Sequence, residues 1–64
     1  MIMGSIDYKE GVKIRIIHLM GEDNNYDGRE GVIDYVDVIG QLHGSWGDLA
    51  IIPETDDFEI IQQN

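Results

Sequence analysis

The chain has no cysteine, a single proline and, from Val32 to its last residue, no lysine or arginine. Without cysteine there are no disulfides and no thiolate metal site, so an apolar core alone must hold the fold. Long apolar runs are missing too; none approaches the length needed to span a bilayer. The opening MIMGSIDYKEG has neither a basic region nor an apolar stretch, so no signal peptide is expected and a cytoplasmic location is. The shortage of basic residues argues against direct binding of nucleic acid or anionic membrane, because contact with phosphates needs Lys and Arg to displace counterions.

What is present is acid. Against 4 basic side chains stand 13 acidic ones, for a net charge of −9. Beyond residue 31 the carboxylates are Asp34, Asp37, Asp48, Glu54, Asp56, Asp57 and Glu59. Such a surface favours a basic protein partner, although charge of one sign also serves simply to keep a small protein soluble. Sixty-four residues make one domain. A chain of this size buries only about 60% of the surface its unfolded form exposes. With 42% apolar residues it has material for a core and is not a disordered tail.

No helical period persists, and short apolar runs are broken by glycines, which indicates an all-β domain. In VKIRIIHL, Val12, Ile14 and Ile16 alternate with Lys13 and Arg15, a half-buried first strand. A polar loop from Met20 to Glu30 leads to a second strand, Val32 to Val38, and Ile39-Gly40 turns into a third, Gln41 to Trp46. Gly47-Asp48 suits a type II′ hairpin turn. Leu49 to Ile52, wholly apolar, reads as a fourth strand buried on both faces. Pro53 ends it, a single 3₁₀ turn is expected over Glu54 to Asp57, and Phe58 to Ile61 forms a fifth strand. The expected core is Val12, Ile14, Ile16, Ile33, Tyr35, Leu42, Trp46, Leu49, Ile51, Phe58 and Ile60. Five short strands with one long loop and one tight turn form a small SH3-like barrel over residues 9–61, since closure hides edges that an open sheet would expose. Residues 1–8 are expected to be a flexible N-terminal segment and 62–64 a frayed C-terminus.

The runs GVKIRIIHLMGED, GREGVIDYVDVIGQLHGSW and LAIIPETDDFEII carry a family pattern: R-V-R-L-I, then G-T-E-G-T-V, then V-D-x-I-G-Q-I-H-V-x-W, then L-A-L-I-P-G-x-D-x-F-E-V-I. Matching positions are Ile14 to Ile17, Gly28 to Ile33, Val36 to Trp46 and Leu49 to Ile61, the third being the most specific. In these runs the chain resembles the DUF4314 family of small bacterial and phage proteins. The resemblance implies an SH3-like fold and brings no activity or catalytic residues with it. Gly44 departs from the pattern, standing where a β-branched core residue is usual; a strand glycine leaves a gap or lets a backbone or large ring approach. The turn after Trp46 and the first loop are both shorter than usual, and the loop lacks the family's prolines.

Within the first loop, Asp23, Asn25, Asp27 and Gly28 spell D-x-N-x-D-G, the opening of a calcium loop. Arg29 would offer its carbonyl at the seventh position. The match then weakens: Glu30 replaces an apolar residue, and the twelfth position is Asp34, shorter than the bidentate Glu and inside the expected second strand. Asp23, Asn25, Asp27 and Asp34 thus form at most a weak calcium loop, and Gly28 and Gly31 also suit a plain turn into the strand. His18 and His43 are too few for a zinc site by themselves. His43 with Asp34 or Asp37 offers general acid–base chemistry on paper, but no nucleophile or oxyanion hole accompanies it, so the chain reads as no enzyme, with no cofactor. Tyr8, Tyr26, Tyr35, Trp46 and Phe58 lack the signatures of a proline-helix groove.

The leading functional expectation is a small acidic protein-binding module. Its acidic face, Asp34, Asp37, Asp48, Glu54, Asp56 and Asp57, would occupy a basic surface of a nucleic-acid-handling host protein, in the manner of an anti-CRISPR-like inhibitor. These carboxylates are chosen because strand ends and turns present side chains to solvent. An aromatic patch at Tyr26 and Trp46 is the alternative contact. The alternatives in class are a structural or accessory module acting through homo-oligomerisation or a phage-encoded partner, and a weak calcium-loop protein.

Overall fold

The computed structural model describes residues 8–62. The end segments expected to fray lie outside these residues except for Tyr8 and Gln62. Four strands form: β1 (Lys13–His18), β2 (Glu30–Val36), β3 (Leu42–Gly44) and β4 (Asp57–Gln62). They make an antiparallel, unclosed sheet in the order β3-β2-β1-β4, with no helix among the described residues. The first half of β2 pairs with β1 and its second half with β3, so one strand serves two small ladders.

The alternation in β1 does what its pattern requires: Ile14 and Ile16 are buried with Val12 before them, and Arg15 faces out. Ile33, Leu42, Trp46 and Ile51 complete the buried set with Leu19, while Leu49, Phe58 and Ile60 are half-buried against it. Fully burying one such aliphatic side chain contributes about 1.5–3 kcal/mol. The burial of Leu19 breaks the even phase of β1. The ladder with β4 shifts register between Ile16 and His18, and after this irregularity Ile17 and His18 both face solvent. A bulge of this kind moves the inward face by one residue.

Two expectations about core and strands fail. Tyr35 is not in the core: it is 55% exposed. The β2–β3 ladder shifts register between Ile33 and Tyr35, so Tyr35 comes opposite His43, on the face of the hairpin away from buried Leu42, and stacks on it. Nor is Leu49 to Ile52 a strand. Only Ile51 pairs, through reciprocal backbone bonds with Leu42 of 2.8 and 2.9 Å, and Ile52 is exposed. Backbone groups at both ends of the segment go elsewhere: the Trp46 indole Nε1–H donates to the Leu49 carbonyl at 2.7 Å, and the Ile52 N–H and carbonyl are taken by the turn at Asp56.

Two glycines make room for the indole. A Cβ on Gly44 would collide with Trp46 Cζ3 and with the Val32 carbonyl, and one on Gly31 would lie 2.8 Å from the Trp46 backbone nitrogen and 3.1 Å from its ring. Of the two roles open to Gly44, the close approach of a large ring is the one realised. Ser45 closes the same junction: its N–H donates to the Val32 carbonyl, and its Oγ accepts the Val32 N–H at 2.9 Å.

The tight turn before β4 is held by Asp56, only 8% exposed. The Thr55 and Asp56 N–H groups donate to the Ile52 carbonyl, and Asp56 Oδ2 accepts the Ile52 N–H in return at 2.8 Å. Its Oδ1 accepts the Met20 N–H at 2.8 Å, fastening this turn to the start of the first loop.

Replacing Gly44 with Val should displace the indole and cost about 1–3 kcal/mol, the range for overpacking; a red shift in tryptophan fluorescence with a lowered denaturation midpoint is the expected signature. Asp56→Ala should cost about 1–3 kcal/mol through the two orphaned N–H groups, whereas Asp57→Ala, one residue on, should stay within about 0.5 kcal/mol. Paired urea melts measure the difference.

Candidate functional site

The surface divides by charge and by what the charges do. Across the outer face of the sheet, Arg15 on β1 reaches Glu30 on β2 at 2.9 Å and Glu59 on β4 at 2.9 Å, with Lys13 at 3.8 Å from Glu30. Arg15 holds the Glu30 carboxyl below its ordinary pKa, chiefly through the hydrogen bond. Two of the chain's few cations are therefore spent within the protein. Arg29 is a third: it stacks 4.2 Å from the Tyr26 ring centroid and donates to the carbonyls of Asn25 and Trp46.

The expected acidic face separates into two kinds of residue. Asp34, Asp48, Glu54 and Asp57 are exposed and take part in no ion pair and no side-chain hydrogen bond among the described residues. Asp56 is buried in the turn described above, contrary to the expectation that it reaches solvent. Asp37, half-buried, organises the β2–β3 hairpin. Its Oδ1 accepts the N–H groups of Ile39 (3.1 Å) and Gln41 (2.9 Å), and its Oδ2 accepts from His43 Nε2 at 2.8 Å. An ionised carboxylate can only accept, so the His43 proton lies on Nε2.

The backbone agrees with the side chain. Gly40 N–H donates to the Asp37 carbonyl and Asp37 N–H to the Gln41 carbonyl, and Gly40 has φ +88°. This is a four-residue turn closed by a left-handed glycine, the arrangement of a three-residue hairpin loop. The turn is therefore Asp37 to Gly40 rather than Ile39-Gly40 alone. On the hairpin, His43 and Tyr35 stack with ring centroids 4.4 Å apart and planes within 5°. Val38, wholly exposed, and Ile39, 71% exposed, occupy the two central turn positions, and Val36 beside them is also exposed. The sequence signal for this site was the run Val36 to Trp46, but reading it as strand–turn–strand hid the fact that Val36, Val38 and Ile39 face water.

The other candidates come apart. Trp46 is buried, so Tyr26 and Trp46 do not form an exposed aromatic patch; Tyr26 lies against Gly47 and the core edge. In the first loop, Asp27 Oδ1 accepts from His18 Nδ1 at 2.9 Å, Asp34 sits on β2, and no group of three His, Asp or Glu side chains suited to a metal ion occurs among the described residues. No cavity is present among them either.

The chain belongs to DUF4314, a domain of unknown function whose family model matches residues 5–61. No curated protein and no solved structure matches it.

The hydrogen bond from His43, followed by that from Gln41, holds the Asp37 carboxyl below its ordinary pKa of 3.8. A depressed folded pKa means that the stability Asp37 contributes is complete above the ordinary value and is lost as pH falls through the lower, folded one. An NMR titration should show the Asp37 carboxyl moving below pH 3.8 together with the amides of Ile39 and Gln41. Amides that stay fixed while the carboxyl titrates would contradict the clamp.

Proposed function

We propose that this chain is a small, non-enzymatic protein-binding module that docks its acidic surface on a basic surface of a protein partner. The observation that carries the reading is the contrast between spent and unspent charge. Lys13 and Arg15 are engaged by Glu30 and Glu59, while Asp34, Asp48, Glu54 and Asp57 stand exposed and unpaired among the described residues, in a stretch with no Lys or Arg. A surface of this sign steers association with positive partners and rejects phosphates. The partner class that fits is a nucleic-acid-handling host protein, whose phosphate-binding surface is basic and which spaced carboxylates can occupy in place of phosphates. For a family resembling phage proteins, this is an inhibitory, anti-CRISPR-like role.

We also read the fold as an SH3-like barrel. The supports are β2 serving two ladders, first and last strands paired, and the Leu42–Ile51 bridge where a fifth strand would run.

Individually, exposed charge pairs contribute under about 1 kcal/mol, so the effect is collective. Proteins captured from a bacterial lysate should be released by added duplex DNA and by salt. A variant with Asp34, Asp48 and Asp57 changed to Asn and Glu54 to Gln should no longer capture them. Capture that is indifferent to DNA and to this variant would reject the reading.

A further inference from the structure

The β2–β3 hairpin carries a mismatch between what its turn requires and what it displays. The turn requires Asp37, whose carboxylate takes two backbone N–H groups, and Gly40, whose φ of +88° disfavours other residues. It does not require Val38 or Ile39. Central turn positions are most readily filled by Pro, Asn, Asp, Ser or Gly, and β-branched side chains are poor there. Both nonetheless lie in water, separated from exposed Val36 and Tyr35 along the chain by Asp37 alone. Exposed apolar groups that the backbone does not ask for mark a contact surface.

The same hairpin is held in one shape before any partner arrives. Asp37 closes it from both carboxylate oxygens, His43 is locked between Asp37 and the Tyr35 ring, and the backbone bonds of Asp37 and Gly40 complete the loop. A preformed element gives up little conformational entropy on binding.

We infer that the hairpin tip, Val38 and Ile39 flanked by Val36 and Tyr35, is the apolar anchor by which this module seats in a hydrophobic cleft rimmed by Lys or Arg on its partner. The inference rests on the protein-binding reading above and adds the anchor to it. Charge complementarity selects the occupant. Exposed, unpaired Asp34 lies on the strand that leads into the tip and no Lys or Arg follows residue 31, so a cationic rim is matched. A second copy of the chain is disfavoured. A two-fold contact would bring Asp34 and its copy together between two molecules that each carry a net charge of −9.

The test uses the isotope-labelled full chain and two synthetic peptides, an oligolysine and one of equal length in which Leu alternates with Lys. The Lys/Leu peptide should shift the amides of Val36 to Gly40 and the methyls of Val38 and Ile39, and bind roughly tenfold tighter than oligolysine. The double variant Val38→Ser, Ile39→Ser suits the turn and should fold. It should lose that tenfold preference and keep its response to oligolysine. Shifts confined to the surroundings of Asp48, Glu54 and Asp57 with a silent hairpin would overturn the anchor and leave the acidic reading standing. Silence toward both peptides would overturn both. Hairpin shifts that grow with protein concentration alone would overturn the inference in favour of self-association.

Discussion

The indole of Trp46 lies on two glycines, and most of the fold depends on this seat. Gly31 on β2 and Gly44 on β3 give up their side chains so that the ring can reach the strand surface. Trp46 then ties the β2–β3 junction to two segments outside that ladder. Its ring covers the junction, its indole N–H holds the Leu49 carbonyl, and its backbone carbonyl receives Arg29 from the first loop. Close packing of an aromatic ring on backbone is sensitive to a single added methyl group, because interiors are packed to the density of organic crystals. In a domain this small, with no disulfide, such a contact does work that a further strand would otherwise do. The fourth strand expected from Leu49 to Ile52 is accordingly reduced to one bridge at Ile51.

The electrostatics follow from where the strands put the few cations. β1 lies between β2 and β4, so Arg15 is central on the outer face and meets a glutamate from either side. That arrangement draws positive charge into a cross-strand ladder and leaves the later half of the chain unrelieved. Asp37 and Asp56 show that a carboxylate in such a half is not always surface charge. Each accepts two backbone N–H groups and shapes a turn. What remains outward is a smaller acidic set and an apolar hairpin tip, a combination suited to a partner that is both greasy and basic.

Much of this was legible in the sequence where period and composition speak. The alternation Val12, Ile14, Ile16 marked β1, and the strand glycine Gly44 pointed to a close-approaching ring. Leu19 was not legible, because a register shift has no signature in the apolar pattern before it. Tyr35 misled for the same reason: the register shift after Ile33 turns it to the outer face opposite His43, and alternation in the sequence does not show that shift. Leu49 to Ile52 misled because apolar continuity reports burial and not pairing. Asp37 and Asp56 were read as surface acids, since a charge count does not distinguish a carboxylate that faces water from one that caps a turn. The exposed Val38 and Ile39 were hidden by the same limit, for apolar residues beside a turn glycine look like strand ends.

Native-state hydrogen exchange at the Trp46 indole Nε1–H tests the central claim most directly. If the indole seat joins the sheet to the last turn, this proton should exchange only with global unfolding, alongside the amides of Val32 and Ile51, as protection in a cooperative unit requires. An indole proton that exchanges as fast as one in free tryptophan, while those two amides stay protected, would mean that the sheet holds without the seat and would contradict the account.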